Sequence, residues 1–342
     1  MNIDSFLQHR GAWLRGSGPD SDIVLSSRVR LARNLAGYPF VSRLSDFDRK
    51  KIIQSVRETA DKILPPDSFG YFDMTELSET DRRCLLERQL VSREFIDDTE
   101  PRAVIMDRNE DFSVMVIEED HLRLQGMTTG FDFETVWKRI NDLDDRIERE
   151  LPLAFDNRLG YLTACPSNLG TGIRVSVMVH LPGLLQTGEM ERVFRALQKM
   201  NLAVRGIYGE GSNPLGDLFQ ISNQATLGMA EEELIQHLEG MIPRIVDYER
   251  KARALLLETE RTRFSTASFA ESGFFEAPEK SRRKRRWFTS RTSGSASISD
   301  SKMKFRSKRL MTSFSTFSRP TWRESPVSRS MRSRKRSFAP TI

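Results

Sequence analysis

Gly160-Tyr161-Leu162-Thr163-Ala164-Cys165-Pro166-Ser167-Asn168-Leu169-Gly170-Thr171-Gly172-Ile173-Arg174 is the stretch around which the 342-residue chain is organised. Tyr161, Leu162 and Thr163 are β-prone and lead into a cysteine. A turn-rich run follows, in which Gly and Asn permit positive φ and close approach of backbone to a ligand. Arg174 comes next, and the apolar run Val175–Leu181 carries the chain back into a core. A thiol, free backbone amides and a guanidinium thus fall within ten residues. The thiolate is the reactive form of cysteine and is favoured by nearby positive charge. A guanidinium presents a planar fork that matches phosphate oxygens. By itself the stretch also reads as an ordinary strand–turn–strand around a buried cysteine.

Other stretches add to it. Ser26-Ser27-Arg28-Val29-Arg30-Leu31-Ala32-Arg33-Asn34 places two arginines two residues apart, on one face if the segment is a strand. Glu118-Glu119-Asp120-His121-Leu122-Arg123 follows the alternating Phe112, Val114 and Val116, and sets a carboxylate cluster beside an arginine. Val204-Arg205-Gly206-Ile207-Tyr208-Gly209-Glu210 ends an apolar run with an arginine, a glycine-bounded turn and a glutamate. Arginines, carboxylates and one cysteine at strand ends point to a polyanion held beside a nucleophile.

From about Ser21 to Arg263 these motifs, in order and spacing, resemble the ATP:guanido phosphotransferase family, the group of arginine and creatine kinases, and within it the bacterial protein-arginine kinases. The resemblance implies ATP, with Mg2+ held mainly through its phosphates and no metal ligand from the protein. It implies that Arg28, Arg30, Arg123, Arg174 and Arg205 bind the phosphates. Ser26, Ser27, Val29, Gln89, Val175, Ser176, Val177, Met178, Gly206, Ile207, Tyr208, Gly209 and Glu210 are implied to complete the nucleotide site. Gln89 stands where close relatives often carry a histidine near the adenine, and glutamine can still hydrogen-bond there. Glu119 and Glu210 are implied to hold and deprotonate the acceptor guanidinium, with Cys165 against it as thiolate. The implied activity is transfer of the ATP γ-phosphoryl group to arginine in proteins with exposed arginine. The alternatives are a metabolic kinase for free arginine or another small guanidino substrate, and an inactive kinase core with a basic binding tail. The helical domain that precedes the first arginine motif in small phosphagen kinases is not expected here, since about twenty residues come before that motif. A heat-shock repressor, a zinc-binding activator protein and an ATP-dependent protease are the partners the resemblance implies, in the setting of a stress response, with room for a homodimer.

The bland readings of single residues are these. Glu118 reads as part of a solvated charge run, and Asp120 and His121 as supports of their loop. Arg33 reads as a surface ion pair or a member of the arginine set. Asn223 and Gln224 either cap a strand or face the nucleotide.

Composition fits a soluble cytoplasmic enzyme: 38% hydrophobic and 30% charged residues, no basic-then-apolar start, and no apolar run near the ~18 residues that span a bilayer. Two cysteines, Cys84 and Cys165, make no disulfide framework, and Cys84 reads as a helix residue without chemistry. Apolar spacing predicts helices over 45–64, 78–90, 131–150, 188–200 and 231–262, the last with a kink at Pro243, and strands over 112–117, 202–207 and 218–227. Strands cluster at the motifs and helices lie between them. The expected class is α+β, an antiparallel β-sheet flanked by helices; the resemblance makes it the guanido kinase catalytic domain, glutamine-synthetase-like. The expected organisation is an N-terminal segment 1–20, a catalytic domain 21–262 and a Ser/Arg-rich tail 263–342.

Residues 264–342 carry 19 Lys/Arg against 5 Asp/Glu, a net +14, which leaves −9 on residues 1–263. Without apolar periodicity this tail reads as disordered, able to hold nucleic acid only non-specifically. Family members instead continue into a folded helical domain containing a segment like Ser-Asp-Val-Arg-Leu-Gly-Ile-Asp-Leu-Gly. When each codon is started at the third base of the printed one, Ser290–Ser299 permits that segment, and Arg263–Phe269 permits a start like the family's. The tail is therefore read as out of frame relative to the family, with the shift between about Arg261 and Phe264.

Overall fold

The computed structural model describes residues 11, 16–98, 100–206 and 215–272, with 261–272 as backbone. The chain divides into two compact units, the first running to Thr259 and the second beginning at Glu260. The site lies in the first.

Ten strands and seven helices are described. An eight-stranded sheet has the order β2 (Phe69–Asp73), β3 (Ala103–Asp107), β4 (Phe112–Val116), β5 (Leu122–Thr129), β1 (Val24–Arg33), β8 (Ile173–His180), β10 (Leu218–Asn223) and β9 (Leu202–Gly206). Every neighbouring pair is antiparallel. The first strand therefore sits in the middle. A two-stranded ribbon, β6 (Phe155–Asp156) and β7 (Gly160–Tyr161), precedes the cysteine loop. The helices are α1 (Asp46–Ile63), α2 (Glu79–Glu87), α3 (Arg93–Asp97), α4 (Phe133–Glu150), α5 (Pro182–Gln186), α6 (Met190–Lys199) and α7 (Glu231–Ser272).

The alternation of side chains along a strand gives this sheet two unlike faces. Val29 and Leu31 of β1, Leu122 and Leu124 of β5, and Val175 and Val177 of β8 share one face and are fully or almost fully buried. Helix α4 lies on that face with Phe133, Val136, Ile140, Leu143 and Ile147, all buried. Full burial of one such side chain is worth about 1.5–3 kcal/mol. Gly126 on β5 lets the helix come close, since a Cβ there would stand 2.4 Å from Ile140 Cγ1. The opposite face carries Arg28, Arg30, Arg123 and Arg174. At its β2–β4 end it is covered by a second core, in which Phe72, Val104, Met106 and Met115 meet Leu85, Leu90, Val91 and Phe95.

Local chemistry sets the helix ends. Ser45 caps α1 by accepting from Asp48 N, with Asp46 and Asp48 in the first turn. Ser78 and Asp81 form a capping box at α2. The expected strand 112–117 stops at Val116 because Ile117 takes φ 63°. The strand expected to reach Leu227 ends at Asn223, whose Oδ1 accepts from Val175 N at 2.8 Å while Nδ2 donates to Ile173 O at 3.1 Å. Asn223 thus closes β8 against β10, and Gln224 is exposed. Helix α7 passes through Pro243 and ends at Ser272, ten residues beyond the expected 262. The expected N-terminal segment and the tail beyond Ser272 lie almost wholly outside the described residues.

Arg33 is not a surface ion pair. It is fully buried on the α4 side of β1, and Asp144 accepts from its Nε at 3.0 Å and its Nη2 at 2.8 Å. Nη1 donates to Thr171 O at 2.8 Å, and the guanidinium lies 3.5 Å from the centre of the Tyr161 ring. Burial alone would lower its pKa, but Asp144, Tyr161 and Glu231 outweigh it, so the pKa is raised and the charge is secure.

We predict that Asp144→Ala, which removes the main partner of this buried charge and leaves it Glu231 at 3.4 Å, lowers stability by about 3–5 kcal/mol, whereas an Arg33→Met/Asp144→Leu pair loses far less. Urea unfolding midpoints check it; equal losses in both would show that packing, not charge pairing, dominates.

Candidate active site

Strand register assembles the arginines. Arg30 stands directly opposite Arg174 on β8 and Gln125 on β5, and Arg28 opposite Ser176 and Met127. Arg123 faces the same way across from Ala32. Arg205 on β9 is opposite Gln220, which is itself opposite Met178, so it joins the same face. Directly opposed residues in such ladders have Cα atoms only about 4.5–5.5 Å apart. The guanidinium groups therefore crowd one another. Burial, followed by the charges of Arg174 and Arg123, pushes Arg28 down to about 10. Arg30 is pushed well below its ordinary value by burial and by Arg28, Arg123 and Arg174, with Glu118 the opposing charge. Its Nε is buried without a hydrogen-bond partner. A face of this kind calls for a multivalent anion, because phosphate oxygens would both neutralise the charges and accept from the guanidinium forks. ATP fits it on these grounds.

The other nucleotide-site expectations divide between the faces. Ser26, Ser176 and Met178 share the arginine face. Gln89 borders it, with φ 61°; Arg28 Nη1 donates to Gln89 Oε1 at 3.5 Å and Gln125 Nε2 to Gln89 O at 2.6 Å. Ser27, Val29, Val175 and Val177 point to the helix side and are buried there, so their side chains do not reach this face. Ser27 Oγ donates to Gly130 O at 2.8 Å. The period-2 rule could have excluded these four from side-chain contact. Gly206 ends β9; Ile207, Tyr208, Gly209 and Glu210 lie outside the described residues.

At one end of the arginine face two loops meet. The first is the turn 117–121 between β4 and β5. Glu118 is buried here, which corrects the reading of a solvated charge run. It accepts from Arg123 Nη1 at 2.6 Å, from Ser92 Oγ at 2.7 Å and from Glu119 N at 2.7 Å. The signal missed was Arg123 five residues on, which the positive-φ turn brings back over Glu118. Glu119 stays accessible and accepts from Arg123 Nη2 at 3.1 Å and Asn168 Nδ2 at 3.3 Å. Burial raises its pKa, Arg123 opposes, and Asp120 and Glu118 add to the rise.

The second loop is the cysteine loop. Cys165 is half-buried, not sealed in a core, and its Sγ lies 3.0 Å from Ser167 Oγ. Pro166–Asn168 form a short 3-10 turn that Cys165 opens. Gly172 takes φ 64°, and a Cβ there would stand 2.6 Å from Ala32 O, so only glycine lets the loop lie against β1. Cys84 is a free thiol on α2, away from these loops in the chain. Among the described residues no three His, Cys, Asp or Glu side chains gather as a metal site, and no helix is long and apolar enough to cross a membrane.

The arginine cluster is chemically suited to a polyanion, and the turn bearing Glu119 meets the loop bearing Cys165 through the Asn168–Glu119 hydrogen bond. Residues 51–252 match the family described as ATP:guanido phosphotransferase, C-terminal catalytic domain. Proteins named protein-arginine kinase are similar to this chain: one from Brevibacillus brevis is 40% identical over 276 residues, covering 80% of this chain and 77% of that one. One from Bacillus cereus is 44% identical over 263 residues, covering 75% and 73%. Among solved structures, the duplicated taurocyamine kinase from Schistosoma mansoni, with bound transition state analog components, superposes with a TM-score of 0.62 at 28% identity. That match covers 67% of this chain and 33% of the duplicated one. The chain belongs to the ATP:guanido phosphotransferase family. It is an enzyme of that class, a kinase.

We predict that Arg30→Met relieves like-charge crowding and raises the nucleotide-free melting temperature at low salt by about 2–4 °C, the size of a 1 kcal/mol gain, while ATP binding weakens. Differential scanning calorimetry with and without ATP checks both signs; a lower nucleotide-free melting temperature would contradict the crowding account.

Proposed function

We propose that this kinase transfers the γ-phosphoryl group of ATP to the guanidinium of arginine residues in proteins. The crowded arginine face beside Glu119 and Cys165 is the observation that carries the transfer reaction. The protein-arginine kinases at 40–44% identity support proteins as the acceptor.

Phosphoryl transfer asks for positioning and charge neutralisation more than covalent help. Arg28, Arg30, Arg123, Arg174 and Arg205 would hold the triphosphate. Magnesium bound to those phosphates would supply further neutralisation of the transferred group. A guanidinium is a poor nucleophile, since its lone pairs are delocalised and it stays protonated to high pH. Glu119, and Glu210 by resemblance, would grip its N–H groups in paired, charge-assisted hydrogen bonds and take the proton that the attacking nitrogen loses. By resemblance, Cys165 would lie against the same cation as a thiolate. Nitrogen bonds to phosphorus as the bond from phosphorus to the ADP oxygen breaks, and the product is an acid-labile phosphoramidate. Following the resemblance, the enzyme works in the cytoplasm with a heat-shock repressor, a zinc-binding activator protein and an ATP-dependent protease. We also read the stretch after about Phe264 as shifted out of the family's frame. The nucleotide sequence of the gene tests it: stop codons closing the shifted frame would end the idea.

The full chain is to be incubated with magnesium-ATP and either free arginine or an arginine-rich protein. Acid-labile phosphate on the protein is the expected result; transfer to free arginine alone would favour the small-substrate alternative. Cys165→Ala should lower turnover at least tenfold with ATP affinity little changed, since the arginine face is intact. Glu119 must be ionised to accept a proton, and burial raises its pKa. Activity should therefore fall with decreasing pH through a midpoint above the ~4.3 of a free glutamate. An acid limb at or below that value would remove Glu119 from the proton-accepting role.

A further inference from the structure

We propose that Asp120 and Asn34 are positioning residues that fix the span between Glu119 and Cys165, two of the groups that hold the acceptor guanidinium. The proposal rests on the reading of the site given above. Glu119 and Cys165 belong to different connections of the sheet, one between β4 and β5, the other between β7 and β8. No ladder hydrogen bond sets their distance. The direct link, Asn168 Nδ2 to Glu119 Oε2 at 3.3 Å, is exposed and long.

The buried tie lies one residue away on each side. Asp120 follows Glu119, and Ala164 precedes Cys165. Asp120 Oδ1 accepts from Ala164 N at 2.6 Å and from Asn34 Nδ2 at 2.6 Å. Asn34 directly follows the last residue of the central strand β1. Its Nδ2 also donates to Leu162 O at 3.0 Å, and its Oδ1 accepts from His121 N at 2.9 Å. One amide thus grips both the carboxylate turn and the cysteine loop from the strand that carries Arg28 and Arg30. His121 locks the other side of the turn. Its Nδ1 accepts from Leu35 N at 3.0 Å, and its Nε2, which then carries the hydrogen, donates to Pro39 O at 2.9 Å.

Asp120 is costly for a purely structural residue. It is 1% exposed, and its Oδ2 is buried with no hydrogen-bond partner. A bare buried carboxylate oxygen carries a desolvation penalty that a neutral side chain would avoid. Burial raises the Asp120 pKa, with Ala164 N and Asn34 opposing. The short bonds to Ala164 and Asn34 gain from the carboxylate charge. Phosphoryl transfer to a guanidinium needs the groups that hold it at a fixed spacing, where a displacement of about 1 Å can cost on the order of a hundredfold in rate. That requirement accounts for the residue.

The test uses the full chain and three variants: Asp120→Ala, Asp120→Asn and Asn34→Ala. Asp120→Ala should lower kcat at least tenfold and raise KM for the acceptor, with the Kd for ATP within about twofold of wild type. Hydrogen exchange should quicken in the peptide spanning Leu162–Asn168 and not in that spanning Ser26–Ala32. Asp120→Asn keeps an oxygen acceptor in the Oδ1 position and should recover most of kcat. Asn34→Ala should act in the same direction as Asp120→Ala, and the double variant should lose less than the product of the two. Faster exchange in the cysteine loop with unchanged kcat would overturn the positioning role and leave the site reading standing. So would an ATP Kd that worsens in step with kcat, or an Asp120→Asn variant as impaired as the alanine. Wild type that transfers phosphate to no guanidinium would overturn the site reading, and this proposal with it.

Discussion

Like charge packed on one face of a buried strand is the constraint on which the structure depends. Arg28 and Arg30 alternate with Val29 and Leu31 along β1, and Arg174 stands directly across from Arg30. The apolar members of that alternation drive α4 onto the sheet, and the arginines are held together as a consequence. Their mutual repulsion is a cost that folding meets with apolar burial on the opposite face. The arginine face is thus suited to an anionic ligand, which would supply the missing charge.

The same strand carries Arg33, and one residue of parity gives it the opposite role. It points to the α4 side, where Asp144 takes its fork in two hydrogen bonds and Tyr161 stacks over it. Thr171 O and Tyr161 belong to the segment that contains the cysteine loop, so this buried pair also seats that loop on the sheet. Identical side-chain chemistry is thus left facing its like-charged neighbours at Arg28 and Arg30 and committed to packing at Arg33.

The carboxylate turn shows a division of labour among neighbours. Glu118 is spent on Arg123 and Ser92, Asp120 on Ala164 and Asn34, and only Glu119 keeps an accessible oxygen pair. The turn is tight enough for this because Ile117 adopts positive φ, uncommon for a β-branched residue, and is fully buried. Such strain persists only where the surroundings over-determine it. Here the buried Ile117 side chain and the hydrogen bond from Ile117 N to His121 O do so.

The sequence by itself determined the class of fold and the family. Alternation around Arg28 and Arg30, the helical stripe from Phe133 to Ile147, and the Cys165 loop with its glycines are local patterns, legible because their periods are set by backbone geometry. The motif order was enough to indicate a guanido phosphotransferase. Tertiary structure alone decided which charged residues stay accessible and which are tied up in buried support. Nothing local distinguishes Glu118 from Glu119, or Arg33 from Arg30, since each pair is alike in chemistry and close in sequence. Strand register and the partners it brings from far along the chain separate them: Asp144 for Arg33, Ala164 for Asp120, Asn168 for Glu119. Strand order was equally hidden, because β1 pairs with β5 and β8, about 90 and 150 residues later, and no short-range pattern encodes a pairing whose partners meet only on folding.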